Sequence, residues 1–239
     1  GERGGRTFIA GPSQEEERPL GGRRPHEVGS VGAETSSGRS LRGQRGAPTI
    51  AGMQRPVILG STSRYRRDLM SRLHLPFDVQ SPEVDETPQP GEAPADLAVR
   101  LALAKANAVA ARFPEAVVIG SDQVADLHGQ PLGKPHSHAR AREQLRLQRG
   151  QIVLFHTAVA VVRQDTGFEK TEMATIRTRF RNANDGMSDA AIEAYLCIEK
   201  PYDCAGSIKS EGLGIALMAS IDNDDPTALI GLPLMRTCE

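Results

Sequence analysis

The chain has 239 residues, a net charge of −1 and 38% hydrophobic residues, enough for one large domain or two small ones. That near-neutral balance excludes binding to nucleic acid by general phosphate neutralisation, but leaves room for a small phosphorylated ligand met by a few local cations. No run of about 18 apolar residues suggests a membrane-spanning helix, no apolar leader stands at the N-terminus, and the three cysteines match no zinc spacing; the expectation is a cytoplasmic protein with reduced thiols.

Composition divides the chain. Residues 1–52 hold 12 of the 24 glycines, eight Arg, six Glu and one aromatic, Phe8. No apolar face can be drawn through them, so they read as disordered and, with Met53 standing directly before the first strand-like run, as a non-native extension. Residues 53–239 are correspondingly richer in core formers.

Val57-Ile58-Leu59, ended by Gly60, suits a buried strand. Ser61 to Leu75 then has helical spacing, with Leu69, Met70 and Leu73 on one face. Pro94 to Phe113 reads as a long helix with Pro94 in its first turn and an apolar stripe through Leu97, Leu101, Ala104, Ala108 and Ala111. Val117 to Gly120 is a second short strand. Ser137 to Gln148 is a helix with Ser137 as cap and Gly150 past its end. Ile152–Val162 and Glu169–Phe180 form a hairpin turning at Asp165-Thr166-Gly167. Ser188 to Ile198 is a further helix. The alternation predicts an α/β layered domain with a mixed sheet.

Five stretches carry chemistry. Gly60-Ser61-Thr62-Ser63-Arg64-Tyr65-Arg66-Arg67 runs from a strand end into a helix, where backbone N–H groups and arginines suit an anion; a serine-rich turn with surface arginines has the same look. Pro82-Glu83-Val84-Asp85-Glu86 can offer oxygens to a hard cation or be a solvated acidic loop. Gly120-Ser121-Asp122-Gln123 puts a carboxylate at a strand's carboxyl end, where α/β ligands gather. Leu132-Gly133-Lys134-Pro135 puts a lysine in a tight loop, and Lys105 lies beside the apolar face of its helix with a stem that can be half buried. Asp203-Cys204-Ala205-Gly206-Ser207-Ile208-Lys209-Ser210-Glu211-Gly212 joins small residues to an unpartnered carboxylate, Glu211.

The order of these stretches, closed by Asp225-Pro226-Thr227-Ala228-Leu229-Ile230-Gly231-Leu232-Pro233-Leu234, resembles the Maf family of nucleoside triphosphate pyrophosphatases over residues 56 to about 235. Tyr65, Gln123 and the Cys204–Gly214 stretch resemble the sub-branch acting on 7-methyl-GTP. The resemblance implies an ITPase-like twisted mixed sheet flanked by helices, with two lobes around a cleft. It implies hydrolysis of a nucleoside triphosphate to monophosphate and diphosphate, with Asp122 as proton acceptor or metal ligand and Ser61, Arg66, Lys105 and Lys134 on the triphosphate. Glu83 and Asp122 would place a divalent cation, Mg or Mn; Tyr65, Gln123 and Glu211 would set base preference. The implied partner is a small nucleotide, and a homodimer is compatible. Two alternatives stand: the dTTP/UTP branch, which resembles Arg, Thr and Gln at those three base-facing positions, and a non-catalytic nucleotide-binding regulator of cell division. Maf chains usually run on from this point into a final helix. Here Glu239 follows Leu234 by five residues, so the resemblance leads one to expect that helix to be missing.

Overall fold

The computed structural model describes residues 55–239; the expectations for residues 1–52 lie outside the described residues. A seven-stranded sheet runs in the order β2-β1-β3-β5-β6-β7, with β4 paired to β3. The strands are β1 (Val57–Gly60), β2 (Asp78–Gln80), β3 (Val117–Leu127), β4 (Gln130–Leu132), β5 (Ile152–Arg163), β6 (Phe168–Phe180) and β7 (Met218–Asp222). β1 is parallel to β2 and β3, while the β3, β5, β6 and β7 neighbours are antiparallel. The sheet is therefore mixed, and its antiparallel half contains the foreseen hairpin, closed by Gly167 at φ 68°. Among the described residues no helix is long and apolar enough to cross a membrane.

The helices are α1 (Arg64–Ser71), α2 (Pro94–Ala110), α3 (His138–Gln148), α4 (Asp189–Glu199) and the short α5 (Leu234–Thr237). Their starts follow side-chain chemistry: Ser63, Ser137 and Ser188 each accept a backbone N–H three residues on, satisfying a donor the first turn leaves free. Alternation along β3 and β5 supplies two apolar faces. Val118, Val124, Ala158, Ala160 and Val162 pack under α2; Ile119 and Val159 pack with Leu59, Leu69, Met70 and Leu232 on the opposite side. Further along the same strands, Ala125, Val153 and Phe155 join α3 and α4 through Ala141, Leu145, Ile192 and Leu196. Because β3, β5 and β6 are 11, 12 and 13 residues long, they cross both helical groups, and the cleft opens between them.

The structure departs from the sequence expectations at three places. α1 begins three residues later than Ser61 and ends at Ser71, because Ser63 caps it and His74 takes φ 53° just beyond. The buried stripe of α2 runs through Leu97, Ala98, Leu101, Ala102, Lys105, Ala106 and Val109, one step from the expected Ala104, Ala108 and Ala111. β3 does not stop at Gly120 but continues through Asp122 and Gln123, held by the ladder to β5. Gly120 is where α2 lies closest to the sheet: a Cβ there would stand 2.3 Å from the Ala102 carbonyl and 2.6 Å from the Ala106 amide.

Candidate active site

The parallel β1–β3 register ends at Gly60 and Gly120. Beyond that line β1 turns away into Ser61–Ser63 while β3 continues. Ser61 and Asp122 therefore face a cleft at the carboxyl end of β1, where ligands of open α/β sheets collect. The cleft measures about 1170 Å³ and is lined by Ser61, Tyr65, Arg66, Lys105, Asp122, Gln123, Lys134 and Glu211, together with Glu86. The fold thus brings every sequence-predicted site residue to one cavity except Glu83.

Four charged groups converge. Lys105, 4% exposed, places Nζ 2.6 Å from Asp122 Oδ1 and 2.6 Å from Glu86 Oε1. Lys134 Nζ lies 3.5 Å from Glu86 Oε2. Burial pushes the Glu86 carboxyl up, but the hydrogen bond and charge of Lys105, helped by Lys134, outweigh it, so its pKa lies below the usual range. Asp122 Oδ2 takes no hydrogen bond from any described residue, so one oxygen of this carboxylate holds the ammonium and the other is free for a water.

The acidic residue at this point is Glu86, not Glu83. Glu83 is exposed, adopts φ 45° and does not line the cleft. The loop between β2 and α2 is tied back by Arg100, which donates to both oxygens of Glu92 and to the Thr87 carbonyl, and this tie presents Glu86 rather than Glu83 to Lys105.

Arg66 is oriented by the far end of the chain. Its Nε donates to the Gly231 carbonyl at 2.8 Å, leaving the terminal nitrogens without a partner among the described residues. Desolvation holds its pKa below the ordinary arginine value, against the pull of Asp122 and Glu86. The same Gly231 carbonyl accepts from Ser121 Oγ at 3.0 Å. Ser61 is buried and accepts from the Ser63 amide through its hydroxyl.

At the other end of the cleft, Gln123 is locked. Its Nε2 lies 3.0 Å from Thr157 Oγ1, the Ala228 carbonyl and the Leu229 carbonyl. Thr157 in turn gives its own proton to Ala228 O at 2.9 Å. A reversed amide would press Oε1 against two carbonyl oxygens, so Gln123 keeps only an acceptor for a ligand, not the donor-and-acceptor pair that its side chain has in isolation. Tyr65 is half-buried. Its hydroxyl accepts from Arg64 at 2.7 Å, and the Arg64 guanidinium already sits 4.7 Å from the ring centroid. Burial raises the phenol's pKa, so Tyr65 stays neutral. The Cys204 thiol points at the Tyr65 oxygen from 3.8 Å and is pushed up to about 12 by burial and by Asp203, which keeps it protonated. Glu211 is exposed and lines the cleft without a protein partner among the described residues.

Sequence reasoning missed Glu86, Thr157 and the Ala228–Gly231 carbonyls. Glu86 stood in the right acidic stretch, but only the Arg100–Glu92 tie selects it. Carbonyl acceptors carry no residue-type signal at all.

Asp122 thus lies beside a buried lysine, with Arg66 and Lys134 in the same cleft of an α/β sheet. The chain belongs to the Maf family: the model for Maf-like protein matches residues 56–239. It is 66% identical over 193 residues to the 7-methyl-GTP pyrophosphatase of Polaromonas sp. (strain JS666), an alignment covering 81% of this chain and 86% of that protein. It is 62% identical to the 7-methyl-GTP pyrophosphatase of Albidiferax ferrireducens, over 78% of this chain and 92% of that one. The solved Ham1 protein of Staphylococcus aureus aligns with 54% of this chain and 73% of its own, at 16% identity and a TM-score of 0.40.

Proposed function

We propose that this protein hydrolyses 7-methyl-GTP to 7-methyl-GMP and diphosphate. The observation that carries the reading is the convergence of Lys105, Asp122, Glu86 and Lys134 in the cleft that also holds Arg66. Phosphoanhydride cleavage needs charge neutralisation and a positioned water more than covalent help. Arg66, Lys105 and Lys134 bring three positive charges to the cleft. Asp122 Oδ2 accepts the proton of a water that attacks the α-phosphorus; the bond to the bridging oxygen breaks, and diphosphate leaves with the bond's electron pair.

Asp122 and Glu86 bring two carboxylates to one point of the cleft, oxygen donors of the kind that suit a hard cation. Asp122 and Glu86 are the residues that would hold it. A bound Mg²⁺ or Mn²⁺ would supply further neutralisation of phosphate charge.

Base preference rests on Gln123 Oε1 and Glu211. Both are acceptors, and guanine alone among the common bases offers two adjacent donors, N1–H and the exocyclic amine, on one edge. Methylation at N7 adds positive charge, which the Glu211 carboxylate favours. Stacking on Tyr65 adds to this only on the ring face that Arg64 leaves open. The names and high identity of the relatives support the same substrate.

The test is diphosphate release, read as phosphate after added inorganic pyrophosphatase, with and without Mg²⁺, on 7-methyl-GTP, GTP, UTP and dTTP. The expected order puts 7-methyl-GTP first. A preference for UTP or dTTP overturns the substrate; no turnover of any of the four overturns the reaction.

A further inference from the structure

The stretch that carries Glu211 is held from outside the cleft. Lys209 and Leu213, two residues to either side of Glu211, are both bound by one carboxylate, that of Glu199 at the end of α4. Glu199 Oε2 accepts from Lys209 Nζ at 2.9 Å, and Glu199 Oε1 accepts from the Leu213 amide at 2.7 Å. Lys209 Nζ also donates to the Glu199 carbonyl at 3.0 Å. The pair is mostly buried, at 13% and 18% side-chain exposure, so solvent competes with it weakly. Gly212 is required by the same contact, because a Cβ there would stand 2.4 Å from Glu199 Oε1. Upstream, Tyr195 of α4 donates to the Ser207 carbonyl and accepts from the Lys209 amide, and Gln148 of α3 donates to the Gly206 carbonyl. The side-chain hydrogen bonds that reach residues 206–213 from other elements come from α3 and α4, and between Lys209 and Leu213 the Gly212 amide closes the stretch on the Lys209 carbonyl.

We infer that Glu199 and Lys209 are positioning residues for base recognition: their ion pair closes residues 209–213 into a rigid bow that holds Glu211 toward the nucleobase. The inference rests on the proposed reading of Glu211 as a base-facing group. Neither residue lines the cleft, so neither touches substrate. The hydrogen bonds from Leu213 and Lys209 hold the Glu199 carboxyl below its ordinary pKa, so the bow stays tied across neutral pH.

The phosphate end of the cleft lies on α1, α2, β3 and the loop of Lys134, and neither Glu199 nor Lys209 hydrogen-bonds to any of these. Breaking the bow therefore acts on recognition of the purine and spares the chemical step. The variants are Glu199→Gln, Lys209→Met and Lys209→Arg, with Glu211→Gln as reference, each measured for kcat and KM on 7-methyl-GTP and on UTP. Glu199→Gln and Lys209→Met are expected to raise KM for 7-methyl-GTP by roughly 10- to 100-fold, the cost of a reacting or recognition group displaced by about an ångström, with kcat and the values for UTP unchanged. Lys209→Arg keeps the charge and the donors and is expected to restore the wild-type KM. Lys209→Met retains the Glu199–Leu213 bond, so it gives a reading even if Glu199→Gln folds poorly. If Glu211→Gln shifts the substrate ranking while neither bow variant does, the positioning role is wrong and the base reading survives. If Glu211→Gln leaves the ranking unchanged, the base reading fails and the bow loses its purpose with it.

Discussion

Lys105 is the one charged residue on the buried face of α2, and its ammonium lies 2.6 Å from the carboxylate of Asp122 on the neighbouring strand. Taking either charge out of water alone is costly, so each is the condition for burying the other. Glu86 provides the second anionic contact to the ammonium from the loop before α2. Two elements and one loop are thereby fixed to a single point of the cleft.

Asp122→Asn should abolish turnover and leave nucleotide binding largely intact. The amide has the carboxylate's size but cannot accept the proton of the attacking water, and loss of a general base typically costs about 10²–10⁴-fold. Turnover is read by coupled phosphate release and binding by calorimetric titration with 7-methyl-GTP. A variant that still turns over near the wild-type rate removes Asp122 from the reaction.

Lys105→Met should inactivate the protein and also weaken the fold. The substitution leaves Asp122 and Glu86 without their shared cation. Breaking a buried pair on one side costs about 3–5 kcal/mol, and the open cleft, which lets water reach Asp122, favours the lower end. Adding Asp122→Asn to the same chain should recover part of the loss, because the uncompensated charge is then gone. Urea unfolding of the two single variants and the double variant measures the coupling; strictly additive effects would contradict it.

Much of this was legible in the sequence, and the misses have physical causes. The α/β alternation, the hairpin and the helix starts at Ser137 and Ser188 depend on local chemistry, and they stand where the sequence put them. The stripe of α2 was misplaced by one step because a lysine is an unlikely core residue until its partner is known; Asp122 is 17 positions away and meets it only where α2 packs on β3. The resemblance points to Glu83, whereas Glu86 lines the cleft once Arg100 and Glu92 fix the loop. Gln123 keeps only its acceptor for a ligand, since the carbonyls of Ala228 and Leu229 take its amide protons, and no residue type announces that. The short β2, β4 and β7 carry too few residues to show alternation.

Glu92→Gln should destabilise the domain in a pH-dependent way. Arg100 donates to both Glu92 oxygens and the Gln89 amide to one of them, which draws the carboxyl down to about 2. A carboxyl whose folded pKa is depressed adds stability that is fully present above its unfolded value, about 4.3, and lost as the pH falls through the folded one. The gap between wild type and Glu92→Gln in urea should thus be constant from about pH 6 to 7 and should narrow as the pH falls from about 4 toward 2. A gap that stays the same at low pH would mean that the tie does not depend on charge. Since the tie presents Glu86, the variant should also slow turnover at neutral pH.

Gly120→Ala should be among the most damaging single-methyl changes in the chain. The new Cβ would overlap the Ala102 carbonyl at 2.3 Å and the Ala106 amide at 2.6 Å, both backbone atoms that no rotamer change can move. Relief requires lifting α2 from β3, and overpacking of this kind costs about 1–3 kcal/mol or more. Lys105 lies between those two points on the helix, so the same displacement pulls its ammonium away from Asp122. Stability and activity should then fall together. Gly133→Ala is the control: nothing lies within 4 Å of a Cβ built there, so the same methyl should be tolerated beside Lys134. Thermal midpoints and coupled phosphate release on both variants decide the matter, and a Gly120→Ala protein as stable as Gly133→Ala would show that α2 does not rest on the sheet at this glycine.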